Sequence, residues 1–312
     1  MASPHLTLEE VLRHLTETEK LLSSTMLTEL SDLDRDEILS FLKTWKTLPT
    51  NRRIDIVNRL FEMSEDNFEL NYEIIFRALL RDDEPNVRLT AASGLWESED
   101  PSLIAPLIRL MKEDPSDEVQ AASATALGKF AMLAEHKKLR PVYAESISKN
   151  LLEVINDKAR PLEVRRRALE AVSPLSFPGV TQAINVFYHS PETKFKISAV
   201  YAMGKSCNAS FLPLLKKELL SSDTETRYEA ATALGEMGEE ETVPYLADLL
   251  EDPDIDVQMA VIRALGQIGG AQSRRFLRQC LNSESEAISQ AAEEALDELE
   301  SEETPLVLRE EA

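Results

Sequence analysis

Two stretches decide the fold: Asp223–Gly238, DTETRYEAATALGEMG, and Asp254–Gly269, DIDVQMAVIRALGQIG. They are one helix written twice, 31 residues apart. Each opens on an aspartate suited to cap a helix N-terminus, where a side-chain oxygen accepts from orphan backbone N–H groups. Each closes on glycine, the residue that most easily takes the left-handed conformation ending a helix. Between these marks, apolar and small residues recur at helical spacing. Self-similarity at such a period identifies stacked repeats, in which one unit cannot bury its apolar face without its neighbours.

Outward from this pair, the same anchor recurs at Val87, Val119, Val164, Phe195, Thr226, Val257 and Ile288, in steps of 32, 45, 31, 31, 31 and 31. The long step is one ordinary repeat plus 14 residues, inserted around 130–143. Four positions after each anchor come Ala91, Ser123, Ala168, Ala199, Ala230, Val261 and Ala292; seven after, Gly94, Ala126, Ala171, Ala202, Ala233, Ala264 and Ala295; eight after, Leu95, Leu127, Val172, Met203, Leu234, Leu265 and Leu296. Offsets 0, 4, 7 and 8 lie on one face of an α-helix. The small columns let neighbouring helices approach closely, and enlarging them is expected to cost about 1–3 kcal/mol each. Ser116 and Ser285 stand where Asp223 and Asp254 do, and Pro106, Pro213 and Pro244 fall near the start of each preceding helix, where a missing N–H is tolerated.

The remaining segments are less regular. Residues 1–35 read as an irregular helical segment, with Thr7 and Glu10 forming a capping box for a helix to about Leu15. A second short helix is expected within Leu21–Leu30. Asp36–Leu48, with Ile38, Leu39, Leu42 and Trp45 on one side, and Asn51–Met63 make a degenerate first repeat. Residues 36–299 therefore hold about eight helix pairs. After Leu299 the periodicity ends, and residues 300–312 read as a frayed acidic tail, with Leu306–Leu308 a weaker candidate for a docking strand.

The runs TRYEAATALGEMG from Thr226 and VQMAVIRALGQIG from Val257, each [VT]-[RQ] followed by A-L-G-x-[IM]-G, resemble the HEAT-like repeat of the phycobilisome-lyase type. The likeness covers about residues 70–299. It implies an all-α, right-handed α-solenoid of about eight two-helix HEAT-like repeats, with the second helices lining a concave face. It does not imply one activity.

Composition narrows the function. A net charge of −22 opposes nucleic-acid binding, which needs Lys and Arg to displace counterions, and repels anionic membranes. No window reaches 18 apolar residues, and the N-terminus MASPHLTLEE lacks the basic start and apolar run of a signal peptide. Cys207 and Cys280, far apart and each within a helical pattern, form no disulfide framework, which points to a cytoplasmic location. The four histidines, His5, His14, His136 and His189, have no second ligand at metal spacing. HEAT-like iron hydroxylases carry paired His-Glu dipeptides, whereas here each His is followed by Leu, Lys or Ser. No P-loop or G-x-S-x-G motif occurs. Acidic pairs such as Asp82 and Asp83 read as solvated turns. No cofactor is expected.

Offsets 2 and 6 share a stripe off the packing face. They place Ile197 with Tyr201, Tyr228 with Thr232, and Met259 with Arg263 in successive repeats. Trp96 replaces the glycine found at its column in four other repeats. A basic island (His136, Lys137, Lys138, Arg140, Lys158, Arg160 and Arg165–Arg167) interrupts the acidic chain and suits an acidic partner segment, or internal pairing with glutamates. The expected partner-binding residues are Trp96, Arg166, Arg167, Tyr201, Tyr228, Met259 and Arg263. The expected role is a non-enzymatic protein–protein interaction scaffold that takes another protein or extended peptide on its concave face. The resemblance implies an alternative, a phycobilin or chromophore lyase-like subunit acting on a tetrapyrrole-bearing protein.

Overall fold

A computed structural model describes residues 6–18 and 20–303. Among these residues all regular structure is helical, and the chain divides into two compact units, one ending at Val172 and one beginning at Ser173. The first unit contains α1 (Leu8–Thr16), α2 (Ser24–Leu27), α3 (Arg35–Trp45), α4 (Thr50–Asp66), α5 (Glu73–Leu79), α6 (Pro85–Ser93), α7 (Ile104–Glu113), α8 (Asp117–Glu135), α9 (Pro141–Asn156) and α10 (Leu162–Val172). The second contains α11 (Pro178–Tyr188), α12 (Thr193–Lys205), α13 (Leu212–Glu218), α14 (Thr224–Met237), α15 (Val243–Ala247), α16 (Ile255–Ile268), α17 (Gly270–Cys280) and α18 (Glu286–Glu303).

Within each unit the packing is that of an α-solenoid. In the first, α5 packs on α6, α7 on α8 and α9 on α10, while α4, α6, α8 and α10 stack in series. The second repeats the scheme, with α12, α14, α16 and α18 as its stacked series. The columns at offsets 4 and 8 are buried throughout; among the anchors only Phe195 is half-buried, and at offset 7 only Gly94. The glycine one position beyond the offset-8 column has a steric reason. A Cβ on Gly204 would lie 2.6 Å from the Ala233 Cα, and one on Gly235 2.7 Å from the Ala264 Cα. Each glycine thus admits the offset-7 alanine of the next repeat at backbone range.

In each unit one buried charge pair ties a repeat to the loop of the next. Arg88 Nε and Nη2 donate to the Asp114 carboxylate at 2.7 and 2.8 Å, and Gln120 Nε2 donates to the Asp114 carbonyl at 2.6 Å. The second unit repeats the device: Arg227 Nε and Nη2 donate to Asp252 at 2.7 and 2.9 Å, and Gln258 Nε2 to the Asp252 carbonyl at 2.6 Å. Arg227 holds the Asp252 carboxyl below the usual carboxylate range against the opposing effect of burial. Bidentate guanidinium–carboxylate geometry makes these the strongest polar links between repeats.

Several sequence expectations meet the structure directly. The Thr7–Glu10 capping box is formed, and Ser116, Asp223 and Asp254 cap their helices. Gly238 is left-handed at φ 69°, whereas Gly269, also at positive φ (67°), has ψ −156° and serves both as the end of α16 and as the N-cap of α17. The inserted residues lengthen α8 and α9 rather than forming a loop. On α3 the buried face is Ile38, Phe41 and Trp45, and Leu39 is exposed, so the helix is turned from the expected register. Cys207 lies past the end of α12 at φ 45°, exposed in a turn rather than within a helix. The N-terminal helices are tied to α4 by the buried Arg52, which donates to the carbonyls of Leu15 at 3.2 Å and Lys20 at 2.9 Å. The tail residues 304–312, with Leu306–Leu308, lie outside the described residues, as does His5.

Candidate functional site

In the second unit α12, α14 and α16 pack side by side, so the positions two and six residues past each anchor, one turn apart on each helix, together form a row two residues deep. Tyr201, Tyr228 and Met259 are half-buried along that row and Arg263 is exposed. Ile197, expected beside them, is buried, because α12 turns it onto its neighbours. The Lys205 ammonium stands 5.5 Å over the Tyr201 ring and also pairs with Glu236 on α14. The row therefore offers aromatic and thioether surface framed by charge, the kind of area that anchors interfaces at low entropic cost.

The other expected residues lie in the first unit. Trp96 is 52% exposed in the turn after α6. Because α6 ends at Ser93, this residue falls beyond the helix, at a column where four of its counterparts are glycine. Arg166 pairs with Glu163 at 3.0 Å, and Arg167 with Glu163 at 2.9 Å and Glu170 at 2.8 Å, all within one helix. Arg160 donates to Gln120 and to the Lys112 carbonyl, both at 2.9 Å, and Arg165 to the Ile155 carbonyl at 2.9 Å. The arginines of the basic island after α9 are thus engaged in bonds inside the unit.

Asp82 and Asp83 prove unlike each other. Asp83 is 84% exposed, but Asp82 is only 4% exposed and accepts from Trp45 Nε1 at 2.7 Å and from Arg53 Nη1 at 2.5 Å. Arg53 also reaches Asp83 at 2.5 Å and holds its carboxyl down at about 2. Nothing local in the sequence marks this network, since Trp45 and Asp82 are 37 residues apart. His14 contacts Glu17 at 2.9 Å, and His189 Nδ1 contacts the Asn185 carbonyl at 2.9 Å. Among the described residues no group of three His, Cys, Asp or Glu side chains is placed to hold a metal ion.

Comparison with known proteins gives the class. The family model for HEAT repeats matches residues 73–146 and 212–297, half of the chain, and the chain belongs to that family. A curated relative is the deoxyhypusine hydroxylase of Kluyveromyces lactis, 28% identical over 164 residues, which are 46% of this chain and 51% of that protein. The chain therefore spans about half the length of this relative. Among solved structures, the Escherichia coli protein YibA is 17% identical, with a TM-score of 0.48 over 90% of this chain and 98% of that one. Human deoxyhypusine hydroxylase in complex with glycerol is 21% identical, with a TM-score of 0.36 over 84% and 95%.

The hydroxylase match corrects the expectation of a non-enzymatic scaffold: a curated sequence relative of this chain is an enzyme. The physical reason for the error is plain. The repeat pattern reports helix packing, and packing columns are indifferent to whether a family member also performs chemistry. The matches establish HEAT repeats and do not single out the phycobilisome-lyase type.

Proposed function

We propose that this HEAT-repeat protein, related to deoxyhypusine hydroxylase, receives a segment of a substrate protein across α12, α14 and α16. The supporting observation is the row of Tyr201, Tyr228, Met259 and Arg263 on three helices packed in series. A face held by stacked helices orders little on binding, so more of its contact energy appears as affinity. The surrounding unit is acidic overall, whereas the row itself carries the exposed Arg263 beside a Lys205 already paired with Glu236, a local charge that suits a carboxylate of the segment. The donor set does not fit the metal of iron hydroxylases: His14 bonds to Glu17 and His189 to a backbone carbonyl, and among the described residues no group of three His, Cys, Asp or Glu side chains is placed to hold a metal ion. No reaction step is derived through such a metal. In keeping with this reading, we place the protein in the cytoplasm with a protein partner rather than a nucleic acid or a membrane. Among the described residues no helix is long and apolar enough to cross a membrane.

The test is the double variant Tyr201→Ala, Met259→Ala. Wild-type protein should retain a protein from native lysate, and the retained protein is identified by mass spectrometry. The variant should lose retention while keeping its helical circular dichroism. Equal retention by both forms refutes the reading, and unfolding of the variant would show these residues to be core.

A second reading rests on the runs from Thr226 and Val257: a lyase-like subunit acting on a tetrapyrrole-bearing protein. A shift in bilin absorbance on mixing supports it, and an unchanged spectrum removes it.

A further inference from the structure

The first unit carries a feature that the substrate row does not use. Its second helices pack closely through their small columns, whereas its first helices α3, α5 and α7 stand far enough apart to leave a cleft of about 850 Å³. Five cations line it in a chain of net charge −22: Lys46, Arg53, Arg77, Arg81 and Arg109. Arg53 is taken up by Asp82 and Asp83, and Arg77 by Asp100 and Ser102. Lys46, Arg81 and Arg109 are exposed, and their side chains form no hydrogen bond or ion pair with any described residue. The Nε of Arg53, buried at the back of the cleft, also lacks a hydrogen-bond partner. Ile38, Leu42, Ile74, Pro106 and Leu110 supply apolar wall between these charges.

The cleft does not end at α7. Ser102 and Arg109 also border a second hollow of about 620 Å³ that runs on to Tyr143 and Asn150 of α9. Four first helices at about 10 Å spacing give a groove on the order of 30 Å long. That length matches about nine residues of extended chain. A compact anion would meet one or two of the cations and leave the apolar walls unused. An extended segment with carboxylates alternating with apolar side chains meets both.

The geometry points to a second binding site on the first unit, a groove across α3, α5, α7 and α9 that takes an extended acidic peptide of a partner protein. Arg81 and Arg109 pair with carboxylates of the peptide, and its apolar side chains lie against Leu42, Ile74 and Pro106. Uncommitted cations in an otherwise acidic molecule supply charge complementarity, which governs both the choice of partner and the encounter rate.

The probe is a fluorescein-labelled nine-residue peptide in which glutamates alternate with leucines, titrated by fluorescence anisotropy against the full chain. Comparison probes are the same peptide with glutamines for glutamates, and inorganic phosphate as competitor. We expect saturable binding of the acidic peptide and at least tenfold weaker binding of the glutamine peptide. The double variant Arg81→Glu, Arg109→Glu should also bind at least tenfold more weakly. Both residues are exposed, so the variant should keep the wild-type circular dichroism and melting midpoint. Arg278→Glu, an exposed charge reversal on α17, should bind as wild type. The proposal falls if the double variant binds within twofold of wild type, or if Arg278→Glu weakens binding equally. It also falls if millimolar phosphate displaces the peptide, which would make the groove a small-anion site.

Discussion

Replacing Asp252 by Asn tests how the repeats of the second unit are held together. The substitution keeps the shape of the side chain and an oxygen for the Asp254 N–H, which Asp252 Oδ1 accepts at 3.0 Å. It removes the charge that two nitrogens of Arg227 address at 2.7 and 2.9 Å. The side chains of Arg227 and Asp252 are 12% and 6% exposed, so water does little to replace the lost partner. Breaking a buried pair from one side costs about 3–5 kcal/mol because a charge is left uncompensated. We expect the lower end, about 3 kcal/mol, since the amide oxygen still accepts one bond. For a cooperative block of this size that is a fall on the order of 10 °C in melting midpoint. Urea denaturation with the double variant Arg227→Met, Asp252→Leu completes the experiment, because removing both charges should recover most of the loss. The pH dependence carries a sign. Arg227 depresses the Asp252 carboxyl, so its contribution is complete above the unfolded value of about 3.9. That contribution fades as pH falls through the lower folded value. Wild type should therefore lose this part of its stability in acid, and Asp252→Asn should not. A loss below about 0.5 kcal/mol, the scale of an exposed pair, or a double variant whose losses simply add, refutes the reasoning.

Four further outcomes follow from the packing. Gly235→Ala should destabilise the second unit by about 1–3 kcal/mol by urea titration, because its Cβ would meet the Ala264 backbone at 2.7 Å. Gly238→Ala, with open space around it but φ at 69°, should lose only about 1–2 kcal/mol. In native protein a maleimide should label exposed Cys207, and Cys280 only after unfolding. Burial and Glu236 push the Cys207 thiol up, so its rate should lag that of free cysteine at neutral pH and climb with alkali. Arg52→Met should free the segment around α1 and α2 for proteolysis, since Arg52 supplies its bonds to the Leu15 and Lys20 carbonyls.

The stacked helices were legible because one face repeats its chemistry seven times, from Val87 to Ile288, and repetition overrides the ambiguity of any single helix. Even the glycine before Glu236 and Gln267 was visible as a column, although its purpose needed the neighbouring alanine in three dimensions. The Arg or Gln that follows five of the seven anchors was visible too. Its partner was not, because Asp252 comes from the next repeat's loop, 25 residues on. On α3 a window of eleven residues left the face undetermined between Leu39 and Phe41, and only packing chose Phe41. The Trp45–Asp82–Arg53 network joins α3 and α4 to the turn after α5 and leaves no trace in any one of them. Kinship with an enzyme was illegible for a different reason, since the conserved spacing of a packing face says nothing about the groups it presents elsewhere.

The lengthened α8 and α9 give the stack something that identical repeats cannot provide. α8 runs for 19 residues and α9 for 16, where the flanking α6 has 9, α7 has 10 and α10 has 11. At about 1.5 Å per residue this hairpin projects several ångströms past its neighbours. A ligand sliding along equivalent rungs would find the same footing at every step; a spur on one rung breaks that translational degeneracy and leaves a single place to stop.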